Sequence, residues 1–254
     1  MDKTNPTTRF SDRVEYYIKY RPKYPTEILD FLKKELNLSI RHIIADIGSG
    51  TGFLSKLFLQ NGNEVYGIEP NREMRQAAEK LLGHYPNFKS IDGSAEFTDL
   101  DSGIIDFITA AQAFHWFDID VSRSEFERIL KPKGWIVLIW NERVETTPFL
   151  KAYELLLKTF SVDYQNVDHR NVDDKVLTHF FGSKNFKFKS FKNEQHFNFE
   201  GLKGRLLSSS YAPLEGHPNY EPMMNELEKI FRIFKEDGKV IFKYNTKMYY
   251  GKLY

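Results

Sequence analysis

The sequence predicts an α/β fold built on a mostly parallel sheet, and three observations carry that prediction. Five short apolar or β-branched runs alternate with amphipathic helical stretches between residues 42 and 141. The first run breaks into a loop with glycine at alternate positions, Gly48, Gly50 and Gly52. The second run ends on an acid, Glu69, placed 23 positions after Asp46. Strand, glycine turn and helix in that order form the first half of a nucleotide-binding unit.

The elements follow in order. Phe10, Val14, Tyr17 and Ile18 have helical spacing, which Tyr20-Arg21-Pro22-Lys23-Tyr24-Pro25 interrupts, because two prolines force extended or turn geometry. A helix is expected from Thr26, read as its N-cap, with Ile28, Leu29, Leu32 and Leu36 as the apolar stripe. Residues 43–47 form the first strand, and its helix, carrying Phe53, Leu54, Leu57 and Phe58, runs to about Gln60. Asn61-Gly62-Asn63 makes a turn into a strand at 64–68. Met74, Ala77, Ala78, Leu81 and Leu82 then give a clean helical stripe. Short strands at 88–91 and 104–110, a helix at 121–130, a Lys131-Pro132-Lys133-Gly134 turn and a strand at 135–140 complete this half.

The last third reads differently. A helix bearing Tyr153, Leu156, Leu157 and Phe160 precedes a polar stretch at 163–174 and a further short helix. Residues 186–191 alternate as a strand does, helical stretches follow at 200–210 and 221–235, and a final strand covers 240–250 after the Asp237-Gly238 turn.

Composition narrows the function. The chain has 254 residues, 41% of them hydrophobic and 15% aromatic, enough for a substantial core. Net charge is +1, which argues against nucleic acid as an obligatory partner. From Lys184 onward, 13 Lys/Arg face 8 Asp/Glu, so the last third is positive and the rest negative. Solvated strand faces, such as those of Lys187, Lys189, Lys243 and Lys247, account for this simply; a positive wall for an anionic substrate is the functional alternative. There is no cysteine, which excludes disulfides, thiolate metal sites and a cysteine nucleophile. No apolar signal core and no run of ~20 apolar residues appear, so a cytoplasmic, membrane-free protein is expected.

Loop spacing narrows the ligand. The dinucleotide fingerprint would place its third glycine at residue 53, where Phe53 stands, and no Gly-Lys-Ser/Thr follows. An acid at the loop entrance, Asp46, suits a ligand with a cationic part better than a second anion. With these residues the chain resembles the class I S-adenosyl-L-methionine (SAM) methyltransferases, type 11-like, whose first motif has the form E/D-x-G-x-G-x-G. The resemblance implies a Rossmann-like seven-stranded sheet, mostly parallel with an antiparallel last strand, with helices on both faces and a helical cap. It also implies a single domain over 1–254, with a cofactor core at about 42–141, an N-terminal lid at 1–40 and a substrate cap with the final strands at 142–254.

Site residues follow from position. Glu69, before Pro70, stands where a carboxylate accepts from both hydroxyls of a ribose diol. Gly48, Ser49, Gly50 and Gly52 would let the methionine part of SAM lie on bare backbone, while Asp46 either receives its ammonium through water or orders the loop. Gly93-Ser94-Ala95-Glu96 resembles the family's adenine-contacting loop, with Ser94 and Ala95 as the contacts. Gln112 and His115 sit where the fourth strand exits, one or the other would point at the methyl group, and His115 is the candidate general base. Tyr20-Arg21-Pro22 resembles a lid motif of small-molecule members near trans-aconitate methyltransferase. There Arg21 would pair the cofactor carboxylate, and Tyr16, Tyr17 or Tyr20 would cover the sulfonium. Ser208, Ser209, Ser210 and Tyr211 are candidate acceptor contacts. No metal site is expected. The Asn/Asp-Pro-Pro-Tyr motif of adenine- and glutamine-methylating enzymes has no counterpart at Ala110-Ala111-Gln112-Ala113. The expected partner is a small-molecule acceptor that can be anionic, and the expected assembly a monomer or homodimer. A non-catalytic SAM-binding regulator and an NAD(P)-linked oxidoreductase are the rival readings.

Overall fold

The structure is a computed structural model that describes residues 13–162, 164, 174–182 and 186–253. Phe10 and most of the polar stretch at 163–174 lie outside the described residues. The apolar runs of the first half become β1 (Ile43–Ile47), β2 (Glu64–Ile68), β3 (Phe88–Ile91), β4 (Ile105–Ala111) and β5 (Leu130–Arg143). In the last third, β6 (Phe186–Phe197) and β7 (Val240–Gly251) join the same sheet. The spatial order is β3-β2-β1-β4-β5-β7-β6. Six strands run parallel, and β7 runs antiparallel to both its neighbours.

That order places the site. The chain leaves β1 toward β2 and β3 on one side, then returns to the other side for β4 and β5. Between β1 and β4 the winding reverses, and the loops leaving the carboxyl ends there diverge to open a crevice.

Alternation along buried strands divides the core. Ile44, Phe107, Val137 and Met248 face α2 (Glu27–Leu36) and α3 (Phe53–Asn61). Ala45, Ile47, Ile108 and Leu138 face α5 (Ile119–Ile129) and α7 (Asp174–Phe181). A third apolar cluster joins α6 (Pro148–Phe160), α8 (Phe199–Leu207) and α9 (Tyr220–Phe234) to Phe242 and Tyr244 of β7, which makes the helical cap. At the open edge, β6 carries exposed Lys187 and Lys189, which discourage pairing with another strand.

Several boundaries differ from expectation. Thr26 has helical dihedrals and no capping bond, so α2 begins without the expected N-cap. The cap at α5 is Asp118, whose side chain accepts from the Val121 amide and starts the helix at Ile119 rather than 121. The expected 131–134 turn lies inside β5 as a bulge, since Leu130 pairs with Ile105 and Trp135 with Phe107. β6 continues six residues past its expected end, paired throughout with β7. α8 stops at Leu207, leaving residues 208–211 in a turn. Among the described residues, no helix is long and apolar enough to cross a membrane.

One polar cluster fixes the loop after β3. Glu125 of α5 accepts from the Thr98 amide at 2.9 Å and from Arg128 through Nε at 2.7 Å and Nη2 at 2.8 Å. Burial alone would raise this carboxyl, but the Arg128 fork and the Thr98 donors outweigh it and lower it from 4.5 to about 2. Its folded value lies below its unfolded one, so the stability it supplies is complete above pH 4.5 and drains away as pH falls toward 2. Glu125→Gln should destabilise the protein at neutral pH and flatten that part of the acid limb. Urea titrations of both proteins across the acid range check this; parallel stability curves would contradict it.

Candidate functional site

At the crevice lies a cavity of about 630 Å³, within the size range of small-molecule sites. Its floor is the glycine loop between β1 and α3. Gly48, Gly50 and Gly52 all have positive φ, at 64°, 56° and 82°. Gly50 borders the cavity, and a Cβ there would meet no atom within 4 Å, so bare backbone is what the loop presents. At Gly52 a Cβ would lie 2.3 Å from Leu82 Cδ1, so this glycine serves helix packing rather than a ligand. Ser49 lines a small cleft continuous with the loop, beside Tyr17 and Tyr24.

Asp46 lies beneath the loop, 1% exposed, and both its oxygens are engaged. Ser55 Oγ donates to Oδ2 at 2.6 Å and Thr109 Oγ1 to Oδ1 at 2.9 Å. This geometry favours the loop-ordering role over contact with a ligand ammonium. Burial raises the carboxyl from 3.8 to about 6, against the hydrogen bonds of Ser55 and Thr109, which lower it.

Glu69, at the end of β2, is 8% exposed and lines the cavity. Its Oε2 accepts from the Gly50 amide and its Oε1 from the Asn71 amide, both at 2.8 Å. Each oxygen keeps a second acceptor direction. Burial raises this carboxyl above its usual value, while the two amides pull the other way. Pro70 continues the wall. Ser94 and Ala95 line the same end, but the Ser94 amide donates to the Phe97 carbonyl at 2.9 Å and its hydroxyl accepts from the Glu96 and Phe97 amides. Ser94 therefore shapes the turn, and Ala95 is the residue of the pair placed to meet a ligand through its backbone.

Gln112 and His115 border the middle of the cavity. Gln112 has φ +56°, a strained value for a non-glycine residue. Its amide donates to the Ile139 carbonyl and its Nε2 to the Asn141 carbonyl at 3.2 Å, so β5 holds it in that conformation. His115 sits in a short 3-10 turn, Phe114–Trp116, packed beside Trp116.

The roof is α1 (Val14–Tyr20) with the proline-bracketed segment after it. Arg21 donates to the Ser208 carbonyl at 3.0 Å through Nη2 and lies over the Tyr17 ring. Of the three candidate tyrosines only Tyr17 lines the cavity; Tyr16 is exposed and Tyr20 packs on Gly204. Of the candidate acceptor contacts, Ser210 and Tyr211 face the cavity, whereas Ser208 and Ser209 are fully buried behind it.

Sequence reasoning missed the far wall. Arg143, Tyr164, Arg205 and Tyr244 line the cavity opposite Glu69. Arg143 pairs with Glu154 and donates to Tyr164, whose hydroxyl donates to Glu154 at 2.7 Å. Burial alone would raise Glu154, but the Tyr164 hydrogen bond and Arg143 hold it below its usual value. Asn141 was also missed. Its Oδ1 accepts from Thr246 and Asn193, and its Nδ2 reaches the Lys23 carbonyl, tying the roof segment to three strands. The available signals were an Asn-Glu-Arg run after an apolar strand and a lone arginine within an apolar helix. Among the described residues, no group of three or more His, Asp or Glu could hold a metal ion.

Residues 45–138 match the methyltransferase domain family. An uncharacterised methyltransferase-like protein of Schizosaccharomyces pombe is 31% identical over 61% of this chain and 59% of its own length. A second uncharacterised methyltransferase of that yeast is 26% identical over 88% of this chain and 87% of its own. An uncharacterised methyltransferase of Mycobacterium bovis is 35% identical over 54% and 53%. The chain thus spans little more than half the length of two of these relatives. Among solved structures, a methyltransferase candidate from an antibiotic biosynthesis pathway of Anabaena variabilis superposes with a TM-score of 0.64, at 18% identity over 92% of this chain and 98% of that one. A phosphoethanolamine N-methyltransferase of Haemonchus contortus, solved with SAM, gives 0.57 at 14% identity, over 99% of this chain and 59% of that one. The match to the methyltransferase domain family thus covers residues 45–138, and the sheet shares its fold with these solved methyltransferase structures.

The buried Asp46 carboxyl makes a testable demand. Its folded value exceeds its unfolded one, so its contribution to stability falls as pH rises from 3.8 to about 6 and is level beyond. Asp46→Asn removes this slope. The stability difference between variant and parent should move in the variant's favour by at most about 3 kcal/mol across that window. Urea unfolding at several pH values measures it, and a difference independent of pH would refute the titration.

Proposed function

We propose that this chain transfers a methyl group from SAM to an oxygen, carboxylate or nitrogen of a small-molecule acceptor. The carrying observation is Glu69, held by the Gly50 and Asn71 amides at the mouth of β2, on the same cavity as the glycine loop and His115. The residues present fit SAM. Gly50 offers backbone with an open Cβ position, and Glu69 retains acceptor directions for a ribose diol. Ala95, Pro70 and Met74 form an apolar slot beside it for a flat base.

When bound, SAM supplies a methyl group already activated by a sulfonium. This chain's residues then have positioning work to do. Arg21 suits the cofactor carboxylate, since it lies against Tyr17 next to the glycine loop. The roof and cap exclude water from the transfer. His115 and Gln112 lie between the cofactor end and the cap end, where the acceptor atom must stand. For a hydroxyl or amine acceptor, His115 would take the proton; a carboxylate acceptor needs no base.

Two measurements test this. Glu69→Ala should weaken SAM binding by at least the ~1.5–3 kcal/mol of a hydrogen bond to a charged group. Calorimetry reads it, with Glu69→Gln as a milder variant that keeps one acceptor for the loop. Unchanged affinity in both would remove Glu69 from the ribose site, and binding of NAD in place of SAM would overturn the reading. His115→Ala should slow methyl transfer from labelled SAM by roughly 10²-fold or more while leaving SAM affinity nearly intact. A large affinity loss would reassign His115 to cofactor binding, and SAM binding without turnover on a broad panel of acids, alcohols and amines would favour a regulator.

A further inference from the structure

The cavity is lined by acids as well as cations, and Lys247 is matched by Glu142. Arg143 is neutralised by Glu154 within the cap. Arg21, in the function proposed above, meets the carboxylate of the cofactor. Arg205 has no such partner. It is 5% exposed, reaches the cavity from α8, and makes no ion pair among the described residues. Its Nε donates to the Tyr244 hydroxyl at 3.2 Å and its Nη1 to Ser209 Oγ at 3.1 Å. These are neutral acceptors, and they leave Nη2 with no hydrogen-bond acceptor among the described residues.

A guanidinium taken out of water without a counter-charge is costly, and native structures pair such groups. A purely structural arginine at this position would be expected to carry an acid beside it, as Arg143 does 11 positions before Glu154. Instead, the groups around Arg205 that border the cavity are the hydroxyls of Tyr244, which donates to Gln195 Oε1 at 3.0 Å, and of Tyr211. The planar fork of arginine suits the two oxygens of a carboxylate or phosphate.

We propose that Arg205 anchors an anionic group, a carboxylate or a phosphate, carried by the methyl acceptor. The anchor lies at the cap end, so the anion fixes the acceptor's far end while the atom to be methylated reaches toward His115. A second observation agrees. Burial would raise the phenol of Tyr211, yet Arg143, Arg205 and Arg21 together bring it below its usual value, the sign of a positive field in this end of the cavity. This assignment deepens the methyltransferase reading and rests on it.

The test uses the full chain saturated with S-adenosylhomocysteine, whose own binding is measured first. Aliphatic mono- and dicarboxylates, inorganic phosphate and glycerol phosphate are then titrated, with the matching amides and glycerol as neutral controls. At least one anion should bind more than tenfold tighter than its neutral counterpart, with affinity falling as salt rises. Carboxylates above phosphates would assign a carboxylate, and the reverse order a phosphate. Arg205→Gln should lose at least tenfold in anion affinity while S-adenosylhomocysteine affinity changes less than threefold, and Arg205→Lys should recover part of the loss. Should Arg205→Gln fail to fold, Tyr244→Phe, which removes a hydroxyl beside the fork, should weaken the same anions. The proposal is overturned if amides bind as well as anions, if no probe binds, or if Arg205→Gln keeps the parent's anion affinity. Failure of the wild type to bind S-adenosylhomocysteine would instead overturn the methyltransferase reading.

Discussion

The buried carboxylate of Asp46 is the constraint on which the rest of the site depends. It joins three elements at one point: its own strand β1, the first turn of α3 through Ser55, and β4 through Thr109. Those three elements flank the place where the winding of the sheet reverses. With their spacing set, the glycine loop has one path between strand and helix, and the Gly50 amide on that path points at Glu69. Glu69 itself is placed by β2, whose end pairs with Ile91 of β3, and the loop meets it through the Gly50 amide. Burial penalises this charge, as its raised titration shows, so the arrangement gives up some stability for a fixed loop.

Around that fixed loop the cavity is electrically polarised. Glu69 stands at one end, in a wall shared with Pro70, Asn71, Met74, Ser94, Ala95 and Glu96. Arg143 and Arg205 stand at the other, among tyrosines, while Arg21 lies in the roof against Tyr17. A ligand with hydroxyls toward Glu69 and negative charge toward the arginines matches this field; the reverse orientation sets its negative charge against Glu69. Two bound molecules lying end to end, one reaching each wall, would meet in the middle, where Gln112 and His115 stand.

Much of this was legible in the sequence, for physical reasons that differ by region. Strand β1 was readable to the residue because a parallel strand buried on both faces is written as an apolar run, and β2 and β3, less buried, because turn residues bound them. Glu69 and the glycine loop were readable because local backbone geometry restricts which residues fit. The cap was not readable at that level. Arg143 and Arg205 are 62 positions apart, and only the pairing of β5 with β7 and the packing of α8 bring them to one wall. Asn141 hid for the same reason, since its partners Lys23, Asn193 and Thr246 come from three distant segments. The bulge at 131–134 looked like a turn because its residues are turn residues, and only the registration of Leu130 on Ile105 shows that the strand began before it.

The N-terminal helix joins the two ends of the cavity. Arg13 donates from one guanidinium to the carbonyls of Leu207, Ser209 and Ala212, and so grips the turn after α8. Tyr20 lies flat against Gly204 of α8, where a Cβ would stand 2.1 Å from the ring. Tyr17, one turn earlier, stacks on Phe53 at the start of α3, beside the glycine loop. The same short helix therefore rests on the turn that presents Ser210 and Tyr211 to the acceptor and on the helix that follows the cofactor loop. α1 has no fully buried face of its own, so its position is set by these contacts rather than by a private core. A displacement of either wall must be felt at the other through α1, which makes the roof a shared part of both binding regions rather than a lid over one of them.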